Sequence, residues 1–343
     1  MPTRVGINMP PRQMKNPVRS TGQLAQALGL SRWTVSRALN GHKGIRPATA
    51  ERIRRAARSH GFAPSMLARG LRAGRTDLLG VCVPDLVDYF LTDKIMHLQK
   101  AAAARGLDVL LQISDGTAES EREALERFTS MRCRGVILIA PRMPPSPGSI
   151  PSVRIDALSR GAGRTVDTDR ASALAAVATH LHALGHRRIA TVAITPDNLY
   201  GTQRLEGLER GARSAGWNPA RAIAHFPTPR DGEPWEPFQR HPVTALVALN
   251  DRIALRLLRW AGHQGLRIPQ DLSIVGYDND GLSALSSPSL TTVDPRPDLL
   301  MEQAIELLLQ PKPARIRIQP ELVVRESTGP APKSKIQRTN HHS

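Results

Sequence analysis

The chain has 343 residues, 40% of them hydrophobic, which is too long for one ordinary domain and suggests two or three packed domains. No run of about 18 apolar residues occurs, and no apolar stretch follows the basic N-terminal residues, so we expect neither a membrane span nor a secretory signal. The two cysteines, Cys82 and Cys133, exclude a disulfide framework and lack metal-ligand spacing, so we expect a cytoplasmic protein with no metal and no cofactor.

The net charge of +17 is concentrated at the N-terminus. Residues 1–76 contain 15 Lys and Arg against one acid, Glu51, whereas residues 77–326 contain equal numbers of basic and acidic side chains. A basic module on an electroneutral body is typical of proteins that bind the phosphate backbone of nucleic acid. A disordered basic arm would carry the same charge, and only the helical pattern of this region argues against it.

Three short helices are predicted in the basic module. Ser20 with Gln23 three residues later has the form of a capping box, and Gly29 suits a helix terminus in a left-handed conformation. Ser31 is the expected N-cap of a second helix that ends at Asn40. A third helix is expected over residues 46–60, with a proline in its first turn.

Two short helices joined by a turn and supported by a third are typical of a helix-turn-helix motif. In that motif the second helix lies in the major groove, so its outward side chains meet the base edges. Here these side chains are Arg32, Trp33 and Ser36, with Arg37 further along. Arg37 is suited to donate two hydrogen bonds to guanine, and Trp33 to donate one bond or to pack on a thymine methyl. A three-helix bundle with no DNA role remains the alternative.

From Leu78 onward, short apolar runs alternate with helical stretches, which predicts parallel doubly wound sheets. The predicted strands are 78–83, 107–113, 136–140, 189–194, 245–249 and 273–277. The predicted helices include 118–132, 171–184, 204–215 and 252–264. Ligands of such sheets bind beyond the carboxyl ends of the strands. The residues that follow predicted strands are Asp85, Asp88, Phe90, Asn250, Asp251 and Asp278.

The run from Leu24 to Gly41, with Gly61-Phe62-Ala63-Pro64 and Ala68-Arg69-Gly70-Leu71 after it, resembles the headpiece and hinge of LacI-type transcriptional regulators. Further similar motifs follow in the same order to about residue 326: Val83-Pro84-Asp85, Gly135-Val136-Ile137-Leu138, Gly185-His186-Arg187-Arg188, Arg204-Leu205-Glu206-Gly207, Ala248-Leu249-Asn250-Asp251, Val275-Gly276-Tyr277-Asp278 and Leu290-Thr291-Thr292-Val293.

The resemblance implies a small all-α helix-turn-helix headpiece followed by an α/β region of two doubly wound parallel-sheet subdomains, similar to type I periplasmic-binding proteins. The expected divisions are a basic disordered arm (1–17), a DNA-binding domain (18–62), a hinge helix or linker (63–76), an effector-binding and dimerisation domain (77–326) and a basic disordered tail (327–343).

The resemblance also assigns candidate site residues. Those for DNA are Ser20, Ser31, Arg32, Trp33, Thr34, Ser36, Arg37, Asn40, Arg69 and Leu71. Leu71 occupies the place of a leucine that wedges into the minor groove and bends the duplex. Those for the effector are Asp88, Phe90, Asp169, Arg204, Asn250 and Asp278. Carboxylate, amide and guanidinium groups pair with sugar hydroxyls while an aromatic face covers the ring, so a sugar-like effector is expected.

The predicted function is that of a transcription regulator, a repressor by family habit, with no enzymatic activity. It is expected to bind a pseudo-palindromic double-stranded DNA operator as a homodimer, or as a higher oligomer, with affinity modulated by the effector. It would then be nucleoid-associated. Two alternatives stay open: a sugar-type solute-binding protein, and a nonspecific DNA-binding protein with a vestigial sensor. His182 and His186, four residues apart, lack the third ligand that metal catalysis needs.

Two segments depart from the family pattern. Residues 141–152 are short and rich in proline, which disfavours the helix usually found there, and residues 227–242 are compressed in the same way. Both are expected to border the ligand cleft, so retention of effector binding is left open. Trp235 or Phe226 is the candidate for an aromatic wall.

Overall fold

The computed structural model describes residues 18, 20–40, 44–62, 76–86, 89–144, 150–158, 161, 163–229 and 235–332. The predicted arm, nearly all of the predicted hinge and the end of the predicted tail lie outside these residues. The chain divides into two units, Met1–Thr76 and Asp77–Ser343, and each is described by itself.

The N-terminal unit contains helices α1 (Thr21–Leu28), α2 (Arg32–Leu39) and α3 (Pro47–Ser59). The Ser20 hydroxyl accepts a hydrogen bond from the Gln23 amide, and the Ser31 hydroxyl accepts one from the Thr34 amide at 3.0 Å. Gly29 closes α1 with a φ of 64°, a conformation that glycine adopts without steric cost. The predicted helix-turn-helix is therefore confirmed, caps included.

The three helices enclose a small apolar core. Its buried members are Leu24, Ala25, Val35, Ala38, Ala50, Ile53 and Ala57. Arg52 donates a hydrogen bond of 2.9 Å to the Leu28 carbonyl and so links α3 to the end of α1. Because Val35 and Ala38 turn inward, the opposite face of α2 is left to the solvent.

The second unit contains two parallel sheets. The six strands of the first sheet are β1 (Leu78–Val83), β2 (Asp108–Ile113), β3 (Gly135–Ile139), β4 (Ser152–Ile155), β5 (Arg164–Thr168) and β11 (Arg315–Ile318), in the order β11-β5-β4-β3-β1-β2. The four strands of the second are β6 (Ile189–Val192), β7 (Ile223–Phe226), β8 (Ala245–Ala248) and β9 (Ser273–Val275), in the order β7-β6-β8-β9. The fold class predicted from the sequence is confirmed.

Helices cover both sheets. They are α4 (Tyr89–Ala103), α5 (Ala118–Ser130), α6 (Arg170–Ala183), α7 (Leu199–Ser214), α8 (Pro219–Ala222), α9 (Glu236–Arg240), α10 (Asp251–His263), α11 (Gly281–Leu285) and α12 (Pro297–Leu309). Strands β10 (Thr292–Asp294) and β12 (Glu321–Val323) pair antiparallel. The chain passes between the two sheet subdomains after β5, after β10 and after β11.

Buried side chains form a layer on each face of each sheet. On the first sheet, α4 and α12 cover one face with Leu98, Leu300 and Ile305, and Phe128 of α5 covers the other. On the second sheet, α6 and α7 cover one face. An aromatic cluster covers the other face, with Trp235 and Trp260 at 5.2 Å between ring centroids. No helix within the described part of the chain has the length and apolar character of a membrane span.

The predicted start of the tail, residue 327, lies too early in the chain. Ser327 is fully buried and its amide donates to the Ser289 carbonyl, while its hydroxyl donates to Ile274 at 2.6 Å. The Ala331 amide donates to the Leu184 carbonyl at 2.8 Å. These backbone bonds fix residues 327–331 against the second sheet, which the polar composition of the segment does not reveal.

Each of the two proline-rich segments is held by contacts in its described part, which leaves out residues 145–149 and 230–234. The buried Glu121 carboxylate accepts hydrogen bonds from the Arg142 and Met143 amides at 2.9 and 2.7 Å, which fixes the start of segment 141–152. In segment 227–242, Pro237 lies in the first turn of the five-residue helix α9. Cys133 is buried and precedes β3.

Candidate DNA-binding face and ligand cleft

The exposed face of α2 carries most of the predicted DNA-binding residues. Arg32 and Trp33 are exposed, and Ser36 and Arg37 lie one turn further along on the same side. Trp33 is 64% exposed, which is unusual for an indole and leaves its ring open to a partner. The Asn40 side chain donates to the Ser36 hydroxyl at 3.4 Å at the end of this face.

Trp33 and Arg37 contact each other across one helical turn. The Arg37 guanidinium carbon lies 4.8 Å from the Trp33 ring centroid, within the range of a cation–π interaction. The stacking holds the guanidinium along the helix face instead of letting it extend freely. The pair therefore presents a fixed donor group beside a flat apolar surface.

Hydroxyl groups flank this face at the helix starts. The Ser20 and Ser31 hydroxyls accept backbone amides as N-caps, and the Ser31 and Thr34 hydroxyls share a hydrogen bond of 2.8 Å. Serine and threonine hydroxyls at helix N-termini are common partners of phosphate oxygens.

The acid of this unit is neutralised locally. Glu51 lies 3.1 Å from Arg58 and 3.7 Å from Arg54, both on its own helix, so it does not oppose the arginines of α2. The predicted DNA-binding residues Arg69 and Leu71 and the predicted effector residue Asp88 lie outside the described residues.

A cleft of about 1000 Å³ lies between the two sheet subdomains, where the carboxyl ends of their strands meet. Its walls include Asp85, Phe90, Lys94, Asp115, Arg142, Arg170, Asp197, Asn198, Tyr200, Arg204, Asn250, Tyr277 and Asp278. The volume is at the upper end of the roughly 300–1,000 Å³ usual for small-molecule sites.

A buried charge cluster underlies the cleft. Asp156, which follows β4, lies 2.5 Å from the Lys94 Nζ and 2.9 Å from an Arg170 Nη. It also accepts the Thr168 amide at 2.8 Å and the Thr168 hydroxyl at 3.3 Å, so both of its oxygens are occupied. Burial acts to raise the pKa of Asp156, but Arg170 and Lys94 outweigh it and hold the pKa below its ordinary value. Burial lowers the pKa of Lys94, and Asp156 opposes that shift.

Aromatic rings cover the cations of the cleft. The Lys94 Nζ lies 4.0 Å from the Phe90 ring centroid, and Arg170 lies 4.0 Å from that of Tyr200. Tyr200 also donates its hydroxyl to the Asp156 carbonyl, which joins the second subdomain to the first. Arg204 lies 4.1 Å from the Tyr277 ring centroid.

The loop that carries Asp278 is held in an unusual backbone conformation. Asp278 has a φ of 107°, which residues with a side chain rarely adopt, and such conformations cluster at functional sites. Asp251 accepts hydrogen bonds from the Asp280 amide at 2.7 Å and the Thr292 hydroxyl at 2.5 Å, and so braces the loop from behind. Burial raises the pKa of Asp251 to about 7.

Of the predicted effector residues, Phe90, Arg204, Asn250 and Asp278 meet at the cleft. Asn250 caps α10 through its Oδ1, which accepts the Ile253 amide at 3.0 Å, and no described residue accepts from its Nδ2.

Asp169, predicted to contact the effector, does not line this cleft. It caps α6 by accepting the Ser172 amide at 3.0 Å, and it accepts from the Gln319 side chain at 3.3 Å. Asp251, a candidate from its position after a strand, is fully buried and is likewise outside the cleft walls.

Sequence reasoning missed five cleft residues. Four of them, Lys94, Arg170, Tyr200 and Tyr277, line the cleft, and the fifth, Asp156, lies beneath it. Asp156 follows β4, and the same strand-end rule that selected Asp85 would have found it had that short strand been predicted. Lys94 gives no signal, because a lysine in a helix ordinarily points to solvent.

The proposed aromatic wall is also corrected. Phe226 and Trp235 are both buried in the core of the second sheet, 5.3 Å apart, and neither lines the cleft. The rings at the cleft are instead Phe90, Tyr200 and Tyr277.

His182 and His186, the two histidines four residues apart, each contact other residues of the fold. His186 is fully buried, with Nδ1 2.8 Å from the Thr244 hydroxyl and Nε2 3.1 Å from the Gly329 carbonyl. His182 packs against Trp217 at 5.6 Å between ring centroids. Within the described ranges, no group of three or more His, Cys, Asp or Glu residues is placed to hold a metal ion.

Two family models match the chain. Residues 23–65 match the bacterial regulatory proteins of the lacI family, and residues 178–328 match the periplasmic binding protein-like domain. The first match covers the helix-turn-helix, and the second covers most of the second sheet subdomain.

Curated relatives and solved structures span nearly the whole chain. The HTH-type transcriptional regulator CelR of Thermobifida fusca is 28% identical over 336 residues, covering 90% of this chain and 98% of CelR. The HTH-type transcriptional repressor CytR of Escherichia coli K12 is 29% identical over 318 residues, covering 87% and 93%.

Among solved structures, a CelR–cellobiose complex matches with a TM-score of 0.63 and 25% identity, covering 90% of this chain and 99% of that chain. The Lac repressor dimer bound to operator and the anti-inducer ONPF has a TM-score of 0.77 and 23% identity, covering 92% and 100%, and this likeness shows the fold.

Proposed function

We propose that this chain is a repressor of the LacI type controlled by a small molecule, because residues 23–65 match the lacI family of DNA-binding regulators and residues 178–328 match the periplasmic binding protein-like domain. It binds a pseudo-palindromic operator as a homodimer, and a polyhydroxylated ligand in the cleft changes its operator affinity. The observation that carries this proposal is the pairing of an exposed basic helix-turn-helix face with a polar cleft between two parallel sheets.

The α2 face supports sequence reading. Arg32, Trp33 and Arg37 are outward, and the hydroxyls of Ser31 and Ser36 lie beside them. Guanidinium groups read guanine edges in the major groove, whereas serine hydroxyls and helix N-termini hold phosphates. Arg69 and Leu71 are proposed to contact the minor groove from the hinge, as the family resemblance implies.

The cleft supports a hydroxyl-rich ligand. Asn250 Nδ2 is a donor with no described partner, Asp278 is an acceptor held in a fixed conformation, and Arg204 is a further donor. Phe90 and Tyr277 supply ring faces. Such a mixture of polar groups and aromatic faces is suited to sugars.

Exposed apolar side chains support a homodimer. On the first subdomain, Met96 of α4 and Leu111 and Ile113 of the edge strand β2 are exposed; on the second, Leu282 and Leu285 of α11 are 57% and 81% exposed. Exposed apolar patches and open strand edges mark association surfaces. The proposed partner at both patches is a second copy of the chain, because an operator with two half-sites requires two headpieces.

The proposed mechanism is a change of cleft geometry. A ligand that contacts both subdomains favours one angle between them, and this alters the spacing of the two hinges in the dimer. The coupling between the cleft and the operator is then a free energy of about 1–3 kcal/mol, as in other allosteric proteins. We further propose that the protein works in the cytoplasm, at the nucleoid, and is not an enzyme.

Selection of bound sequences from a randomised DNA pool tests the proposal. The purified full chain, at near-physiological salt and without added ligand, should enrich a symmetric site with a flexible central step. If no consensus sequence is enriched and binding is lost as the salt concentration rises, the alternative of a nonspecific DNA-binding protein is favoured.

A further inference from the structure

Arg204 is a buried cation whose counter-charge the described part of the protein does not supply. Its side chain is only 8% exposed, and no described carboxylate lies within 4.0 Å of its guanidinium. Its Nε is buried and makes no hydrogen bond. A buried cation without an ion pair loses hydration and gains little in return.

The buried carboxylate beneath the cleft already has its own partners. Asp156 bonds to Lys94 and Arg170 and accepts twice from Thr168, which uses both of its oxygens. It therefore has no remaining capacity for Arg204. On the other side of Arg204 lies the Tyr277 ring, which covers one face of the guanidinium but provides no charge.

A second polar group on this wall is also unsatisfied. The Tyr277 hydroxyl is buried and has no hydrogen-bond partner, although the residue lines the same cleft. Guanidinium N–H groups donate and the phenol hydroxyl is able to donate, so Arg204 and Tyr277 together leave donors in this cleft without an acceptor among the described residues. The chemical group that complements it is an anionic acceptor, which forms short charge-assisted hydrogen bonds with arginine.

The remaining cleft carboxylates limit the ligand's charge. Asp278 lies half-buried on the cleft wall, and Asp85, Asp115 and Asp197 lie at its margin, where they disfavour a highly negative ligand. Arg142 is exposed at the same margin. This distribution fits a molecule with one acid group at Arg204 and hydroxyl groups toward Asn250 and Asp278.

We infer that the ligand of this cleft is an acidic sugar derivative, in which a carboxylate or phosphate pairs with Arg204 while the hydroxyls bond to Asn250 and Asp278. The inference rests on the proposed function only in taking the cleft as the effector site. A carboxylate suits the charge distribution better than a phosphate dianion.

Calorimetric titration of the full chain with matched compounds tests this inference. The probes are glucuronate, galacturonate and gluconate, the neutral sugars glucose and galactose, and glucose 6-phosphate as the phosphate arm. At least one acidic compound should bind roughly 10- to 100-fold more tightly than its neutral counterpart, since charge-assisted bonds to a buried arginine have this strength.

Two variants locate the acid group. Arg204→Gln should bring the acidic and neutral compounds to within about threefold of each other. Arg213→Gln removes an exposed charge from the same helix at a position outside the cleft walls, and it should change the acidic affinity less than about threefold because of solvent screening. Thermal unfolding of each variant shows whether it folds. The comparison of acidic with neutral compounds is made in the unaltered protein, so it holds even if a variant does not fold.

Three results would overturn the inference: a neutral sugar that binds as tightly as its acid, no binding by any acidic compound, or equal loss of both classes in Arg204→Gln. Tight binding of glucose 6-phosphate alone would support the acid group and identify it as a phosphate. If the protein selects an operator but prefers neutral sugars, this inference is wrong and the proposed function stands. If it prefers acidic compounds but selects no operator, the ligand site stands and the proposed function as a regulator is wrong.

Discussion

The arginines of the headpiece fall into two groups that differ in what they are expected to contact. Arg32 and Arg37 lie on the outward face of α2, whereas Arg54 lies on α3 beside Glu51. Arg37→Ala should lower the ratio of operator to random-sequence affinity by roughly 5- to 100-fold, because a bidentate contact to a base discriminates by about 1–3 kcal/mol. Fluorescence anisotropy on both DNAs measures this ratio.

Arg54→Ala is the matched control. It removes one positive charge without altering α2, so both affinities should fall by a similar factor and the ratio should stay constant. Equal losses on operator and random DNA for Arg37→Ala would contradict a base-reading role.

The contact between Trp33 and Arg37 makes a separate prediction. Because the indole positions the guanidinium at 4.8 Å, the two side chains should act together in operator binding. A double-mutant cycle with Trp33→Ala and Arg37→Ala should give a coupling energy of about 0.5–1 kcal/mol in operator affinity. Additive losses would mean that the stacking has no part in recognition.

The packing of α6 against α7 depends on backbone contact at two glycines. A Cβ at Gly207 would lie 2.2 Å from the Ala171 carbonyl oxygen, and one at Gly211 would lie 2.6 Å from that of Ala175. Gly207→Ala should therefore destabilise the protein by about 1–3 kcal/mol, since the helices must separate.

Gly262 in α10 provides the control, because a Cβ there meets nothing within 4 Å. Gly262→Ala should leave stability unchanged or raise it by about 0.5–1 kcal/mol through helix propensity. Urea unfolding of both variants measures the difference, and similar values for the two would show that the helices do not pack this closely.

The connection between α6 and β6 should respond to pH through His186. Burial lowers the pKa of His186 to about 4, against 6.5 for an ordinary histidine. Between these values the unfolded chain binds a proton that the folded chain does not. The contribution of His186 to the free energy of unfolding is therefore full above pH 6.5 and falls, by up to about 3 kcal/mol, as the pH drops toward 4.

His186→Gln removes this dependence. Other groups titrate in the same range, Asp251 among them with the opposite sign, so the quantity to measure is the stability difference between the unaltered protein and the variant. That difference should shrink steadily from pH 7 to pH 4.5. A difference independent of pH would mean that His186 is not buried in its neutral form; His263→Gln, at an exposed position, controls for loss of a histidine.

Local signals and distant contacts explain what the sequence predicts and what it misses. The caps at Ser20 and Ser31 involve neighbours three residues away, so helices α1 and α2 are visible in the sequence. The ion pair between Lys94 and Asp156 joins residues 62 positions apart, and no local sequence pattern at either residue indicates it. Strand β4 is only four residues long and is not among the predicted strands, so the sequence does not identify Asp156 as a residue that follows a strand.

At the scale of the whole molecule, association should depend on the exposed leucines of α11. Leu285→Arg places a charge in the proposed dimer surface and should shift the protein toward monomer in sedimentation velocity, with at least about a tenfold loss of operator affinity. Leu309→Arg, on α12, is the matched control and should leave both unchanged. An unaltered dimer with Leu285→Arg would exclude α11 from the interface.

The central claim is that the headpiece and the cleft are coupled. The most direct test measures operator affinity with and without a saturating concentration of the compound that binds most tightly to the cleft. We expect the bound compound to change operator affinity by roughly 5- to 150-fold in one direction, and operator to change the affinity for the compound by the same factor. An operator affinity that is the same with the cleft filled or empty would contradict it, and the protein would then bind DNA and ligand independently.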